Sequence, residues 1–403
     1  MRKIYVPYYD KVGDRAQQCW HPQGYQGSRL SQLRLDLDDP ALLEWRHVDQ
    51  ITDQDLWIYE LAWFYSGDLD PHSGCLEPLL SKPNLRQGLE QGRGKILVNL
   101  SAEGWFPDPA AWASFWSQQG IAQDSAVVLT GCSNAQAAWP TQGFFGRALF
   151  ADRFMVQARH FAEDGDAGMP PRTEIVKPLL SFNRLPRLHR MQWISRLYQQ
   201  ALLDSAMISF ARSVGSRDCW HLAQQHYDRD ELSTEDLTAF AQIYPSLPLA
   251  LDTDDFAPNL ADCHQLSQVQ ELYRQTAVSV VTETLFHTDC CFISDKTWHP
   301  IRYLQPFILL GSPGTLARLQ QQGYQTFAAW WDESYDQISD PDKRMSAVLK
   351  VCAEIASWSQ QQLLDMLAQS RSACEHNLSC LLQSYDSHRY DQALAALFPA
   401  HRL

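Results

Sequence analysis

The chain contains no long apolar run: no continuous stretch approaches the roughly 18 residues that would span a bilayer. Its first residues, MRKIYVPYYDKVGDR, lack the apolar centre of a secretory signal. A cytoplasmic protein without a transmembrane segment is expected. Positive charge is also scarce, with 33 Lys+Arg against 47 Asp+Glu and a net charge of −14. That balance disfavours docking of the whole surface on nucleic acid or anionic lipid, so no stable nucleic-acid binding is expected, although a local basic cleft is compatible with it. The ten cysteines form no C-x-x-C pair and no repeated spacing, which argues against zinc ribbons and reads as a set of reduced thiols. There is no G-x-S-x-G elbow of a hydrolase nucleophile, and no internal repeat.

What is present is an ordinary globular composition, 45% hydrophobic and 20% charged over 403 residues, long enough for two or three domains. Short runs rich in β-branched and aromatic residues alternate with longer amphipathic stretches, the pattern of an α/β protein with parallel strands covered by helices. Strands are expected over 3–8, 56–59, 95–101 and 126–130, and the segments SAEGW and GCSN follow the last two. The Gly-, Pro- and acid-containing stretch 161–174 reads as a linker. The expected division is 1–165, 166–345 and a set of helices over 346–403 that pack back on both. In the second unit, strands are expected at IVKPLLSF (175–182), 207–211, 279–283, 290–294 and 306–310, with helices running to about Leu203 and starting near Asp295 and Pro313. The stretch 212–265 mixes a polar helix around 234–242 with proline-containing loops and receives no functional assignment.

Three constellations suit chemistry. Asn183-Arg184-Leu185-Pro186-Arg187-Leu188-His189-Arg190 lies at a strand end and a helix start. Guanidinium groups there, with free N–H groups of a helix N-terminus, suit a multiply charged anion such as phosphate; a solvated basic turn is the plain alternative. Glu283 precedes Asp295-Lys296-Thr297 and His299-Pro300. Its carboxylate and that of Asp295 can accept from ribose hydroxyls while the Lys296 ammonium sits against a diphosphate, or Ser294 or Asp295 is simply a helix N-cap. Glu103, after the strand at 95–101 and beside Trp105, can serve as a general base towards a hydroxyl or be an ordinary loop carboxylate. His287, Asp289, Cys290 and Cys291 are metal-ligand types, but they are near-consecutive and no second cluster has matching spacing, so no metal site is expected. Trp105, Trp112 and Trp116 can line a sugar groove, although the four-residue spacing of the last two favours helix core packing.

The ordered set NRLPRLHR, VTET, SDKTWHPIRYLQPFILLGSPGTLARLQQQGYQTF and WDESYDQISDPDKR, over about 175–345, resembles a family of bacterial and phage glycosyltransferase-like proteins. Its family pattern is N-R-x-P-R-x-H-R, E-T, T-E-K-T-x-K-P-I, P-F-I, G-x-P-G-x-L, G-[FY]-x-T-F and D-E-S-Y-D. The E-K helix start is also similar to the donor site of fucosyltransferases with the GT-B fold, two Rossmann-like domains facing across a cleft. The resemblance implies a metal-independent glycosyltransferase that takes a nucleotide-diphosphate sugar as donor, needs no other cofactor, and acts on a hydroxyl of a glycan, glycolipid or other acceptor. It implies an acceptor-side N-terminal domain and a donor-side second domain. Arg184 and Arg190 would contact phosphate, Lys296 the diphosphate, and Asp295 the ribose side, with Glu283 and Thr297 in the same pocket and Glu103 as the acceptor base. Two departures stand out: Ser294-Asp295-Lys296 replaces T-E-K, and His299 replaces the second lysine. The rival readings are a non-catalytic binder of a nucleotide-sugar or phospho-ligand, and a phage-type enzyme that glycosylates nucleic acid. The DESYD segment at 332–336 either orders a loop beside the donor or is a structural connection.

Overall fold

In the computed structural model, which describes residues 3–8, 43–62, 77–100, 109–135, 146–150, 152–165, 167–251, 266–383 and 397–398, most of the short apolar runs are parallel strands. The chain divides into two compact α/β units, Met1–Arg153 with Tyr385–Leu403, and Phe154–Ser384.

The first unit is built on a six-stranded sheet, β1 (Ile4–Tyr8), β2 (Leu43–His47), β3 (Leu56–Ala62), β4 (Gly94–Leu100), β5 (Ala126–Thr130) and β6 (Arg147–Phe150), in the order β2-β1-β3-β4-β5-β6. Every pairing is parallel. Side chains alternate across a strand, and here both faces are buried, as a parallel sheet requires. Along β3, Trp57 and Tyr59 enter one core with Ile96, Val98 and Trp112, whereas Leu56 and Ile58 enter another with Ile4, Val6, Val127, Leu397 and Phe398. The helices of this unit are α1 (Glu77–Leu80), α2 (Pro83–Glu90) and α3 (Pro109–Gln119). Trp112 and Trp116 of α3 are buried against each other, 5.0 Å between ring centroids, so they belong to the core and not to a sugar groove. β2 and β6 are the sheet edges, where LEWRH interleaves charge with apolar residues and RALF is a short run opened by a charge, so neither stands out in the sequence.

The second unit opens with α4 (Arg153–Glu163), which runs into the expected linker stretch 161–174. Its parallel sheet has the order β12-β11-β7-β8, from β7 (Lys177–Asn183), β8 (Ala206–Phe210), β11 (Thr276–Thr282) and β12 (Phe307–Leu310). A two-stranded antiparallel ribbon, β9 (Ser213–Val214) with β10 (Arg217–Asp218), follows β8. The helices are α5 (Leu188–Gln199), α6 (Cys219–Asp228), α7 (Thr234–Ile243), α8 (Leu266–Gln275), α9 (Asp295–Arg302), α10 (Thr315–Gln321), α11 (Pro341–Ala356) and α12 (Gln360–Gln383). All contribute to one core around the sheet, α11 and α12 included.

Two expectations are corrected. Residues 290–294 form no strand: β11 already pairs with β7 on one side and β12 on the other, and the apolar Phe292 and Ile293 are buried in a connecting loop. The cysteines are not all reduced, because Cys132 and Cys290 are each disulfide-bonded, a pairing that depends on tertiary proximity and leaves no trace in spacing. Cys219, Cys352, Cys374 and Cys380 are thiols. Among the described residues no helix is long and apolar enough to cross a membrane.

Candidate functional site

The carboxyl ends of β7 and β11 lie side by side and are stitched by a hydrogen bond from the Thr282 hydroxyl to Asn183 Oδ1, 2.7 Å. From that seam the chain leaves β7 through Arg184-Leu185-Pro186 and enters α5, whose N-cap Arg187 offers no side-chain cap. Arg190, in the first turn, is 1% exposed. Its Nη1 donates to the Leu185 carbonyl and its Nη2 to the Thr282 carbonyl, both at 3.0 Å. The buried Nε has no partner. Burial, reinforced by Arg187, pushes this guanidinium down to about 9, against the smaller pull of Glu283 and Asp295. A cation so placed is bonded to carbonyl dipoles and to no carboxylate, which is costly unless an anion joins it. His189 is turned to the protein interior, where its Nε2 bonds the Glu283 carbonyl at 2.9 Å and its ring stacks on Phe286. Burial, then the charges of Arg190 and Arg187, hold it well below the ordinary histidine range, so it is a neutral packing residue.

The other side of the site is the start of α9. Ser294 is its N-cap, accepting from Lys296 N–H. The fully buried Glu283 carboxylate accepts from Ser294 N–H at 3.1 Å, from Thr284 N–H at 3.0 Å and from the Thr297 hydroxyl. Glu283 and Thr297 therefore face each other inside the protein and do not line the cavity that their neighbours Asp295 and Lys296 line. The N-cap takes the Lys296 N–H from within the helix, so that donor is not free for a ligand. Lys296 Nζ bonds Asp295 Oδ1 at 2.9 Å and the Ser294 hydroxyl at 3.3 Å. Asp295 is 40% exposed. Its position in a concave wall works to raise its pKa, but Lys296, His299 and Arg190 outweigh this and hold it at about 2.

Between the two sides is a cavity of about 130 Å³. Arg184, Arg187, Arg190, Asp295, Lys296 and His299 line it together, so the structure brings four of the six donor-side residues expected from sequence into one wall. The remainder of the lining is largely apolar, from Leu180 and Phe182 of β7, Val280 and Val281 of β11, and Val269 and Tyr273 of α8. The α8 residues were missed by sequence reasoning. Leu266, Val269 and Tyr273 recur at helical spacing, a signal that was available once 266–275 is separated from the unassigned stretch before it. Glu103 and Trp105 lie outside the described residues.

The DESYD segment is a structural connection. Asp336 accepts from Leu316 N–H at 2.9 Å and Ala317 N–H at 3.1 Å, Glu333 accepts from Phe327 N–H, and the Tyr335 hydroxyl accepts from Leu309 N–H. None of these side chains lines the cation-rich cavity.

The chain matches no protein-family model, and no curated protein sequence matches it. Solved structures align with it over long stretches at low identity. A DNA-modifying beta-glucosyltransferase, crystallised with and without uridine diphosphoglucose, is 11% identical with a TM-score of 0.44 over 98% of this chain and 99% of that one. A sucrose-phosphate synthase from Thermosynechococcus elongatus is 12% identical with a TM-score of 0.41 over 99% and 100%. The catalytic domain of starch synthase IV from Arabidopsis thaliana, bound to ADP and acarbose, is 12% identical with a TM-score of 0.36 over 81% and 73%. Similarity at this level identifies neither an activity nor a ligand for this chain.

Proposed function

We propose that the chain is a glycosyltransferase of GT-B type whose second unit binds the diphosphate of a nucleotide-sugar and whose acceptor is a hydroxyl of a glycan, glycolipid or other molecule. The observation that carries this is Arg190, a buried cation with an unpartnered Nε in the wall of a cavity that also receives Arg184, Arg187 and Lys296. Guanidinium groups bond phosphate oxygens in pairs, and the ammonium adds a point charge. Asp295 is the one carboxylate among the described lining residues, and its second oxygen suits a ribose hydroxyl. A lining of four fixed cations and one carboxylate suits a diphosphate bound directly, without a bridging metal.

In the reaction the bond between the anomeric carbon and the diphosphate oxygen breaks, and the electron pair leaves on the nucleoside diphosphate. The acceptor oxygen forms the new bond to the same carbon and gives up its proton to a base. Arg184, Arg190 and Lys296 stabilise the charge that grows on the leaving group, which is where preorganised cations act most strongly. The proposed base is Glu103, assigned from the family resemblance.

The test is a thermal-shift panel of nucleoside diphosphates and nucleotide-sugars, with and without a divalent metal, on wild type and Lys296→Ala. A ligand at about 100 times its Kd stabilises the folded state by about 2.7 kcal/mol, which is readily measured. The expected result is a metal-independent shift, lost in the variant, together with slow donor hydrolysis. Binding without hydrolysis would make the chain a non-catalytic binder, and no shift with any nucleotide would overturn the reading.

A further inference from the structure

Glu283 is fully buried and makes no salt bridge among the described residues, yet it is tied to three separate parts of the second unit. Its N–H donates to the Leu310 carbonyl at the end of β12, and its carbonyl holds His189 of α5, both at 2.9 Å. Its two carboxylate oxygens accept from Ser294 N–H at 3.1 and 3.2 Å, and they also take Thr284 N–H and the Thr297 hydroxyl. All of the donors on the carboxylate are fixed N–H or O–H groups, two of them on the first turn of α9 and its N-cap. Asp295 and Lys296 lie between those two, at 295 and 296, so the staple fixes the stretch of backbone that presents them to the cavity. The adjoining Thr282 carbonyl holds Arg190.

Resting on the reading of the cavity as a diphosphate site, we propose that Glu283 is a positioning residue: its carboxylate staples the start of α9 to the end of β11, and thereby sets Lys296 at the working distance from the anion. A carboxylate suits this role because it only accepts. Ser294 N–H is shared by both carboxylate oxygens, so a glutamine in either orientation turns its NH₂ group towards that N–H, setting donor against donor and leaving one oxygen to accept. The start of α9 would then shift while every cation of the cavity is still present.

The test uses the full chain and inorganic pyrophosphate, with affinity measured by titration calorimetry for wild type, Glu283→Gln, Lys296→Ala and the double variant. If Glu283 acts through Lys296, each single variant loses about tenfold or more, and the double variant is within about twofold of Lys296→Ala alone, because neighbouring residues that share one function are not additive. A merely structural role predicts losses that multiply, or a lower melting temperature with pyrophosphate affinity within about twofold of wild type; either result overturns the proposal. Thr297→Val, which removes one donor from the staple at nearly constant volume, serves if Glu283→Gln does not fold. Its expected loss is about threefold or more with the same coupling to Lys296, and unchanged affinity overturns the proposal. Absence of pyrophosphate binding by wild type overturns the diphosphate reading and this inference together, whereas binding by wild type with uncoupled variants overturns this inference alone.

Discussion

Asp295 is the residue on which two charges of the cavity meet, since it pairs with Lys296 while its other oxygen is available to a ligand. Replacing it by asparagine separates its two effects. Asp295→Asn is expected to bind inorganic pyrophosphate more tightly, because Lys296 is released and a like charge is removed. It is expected to bind the corresponding nucleoside diphosphate no better or less well, because the ribose loses its acceptor; paired calorimetric titrations check this. The same carboxylate has a pH signature. Its folded pKa, about 2, is below the ordinary 3.8, so the stabilisation is present above about 3.8 and is lost as pH falls towards 2. The stability difference between wild type and Asp295→Asn, followed by urea midpoints, should accordingly be constant near neutrality and shrink below pH 4. In the first unit, a Cβ on Gly94 would collide with the Trp57 ring, which is completely buried and has no room to retreat. Gly94→Ala is expected to lower stability by about 1–3 kcal/mol in denaturant titrations, the usual effect of overpacking.

At the scale of the elements, α10 shows how a helix start is built from outside. Its N-cap Gly314, at φ 79°, has no side chain to offer, and Asp336 supplies the missing acceptor to Leu316 and Ala317 N–H. Asp336→Ala is expected to cost about 1–2 kcal/mol, read as a lower denaturation midpoint with pyrophosphate affinity unchanged. α9 differs: its N-cap Ser294 serves Lys296 N–H itself, and Glu283 holds the N-cap's own N–H and the Thr297 hydroxyl from outside the helix. Such long-range contacts explain what was legible in the sequence and what was not. The strands β5 and β12 could be read because AVVLT and FILL are unbroken apolar runs that parallel sheets bury on both faces. Ser294 could be read as an N-cap because the signal is local. That Glu283 and Thr297 face each other inside the protein was hidden, since only the fold shows which way a side chain fourteen positions away points. The apolar run at 290–294 misled for the complementary reason: burial in a loop and burial in a strand have the same composition.

At the scale of the whole molecule, the described lining of the cavity comes from one continuous segment, whereas the first unit is assembled from both ends of the chain. Leu397 and Phe398 are buried in the core formed by β1, β3, β4 and β5. Removing residues 385–403 is therefore expected to cost the first unit about 1.5–3 kcal/mol for each of these two side chains. The variant should show an earlier first transition in calorimetry, with pyrophosphate affinity unchanged. The same arrangement orders events on the ribosome. The second unit is complete in sequence while the sheet of the first still lacks two of its core side chains, so a nascent chain can form its cation-lined cavity before its N-terminal half has closed one of its two faces.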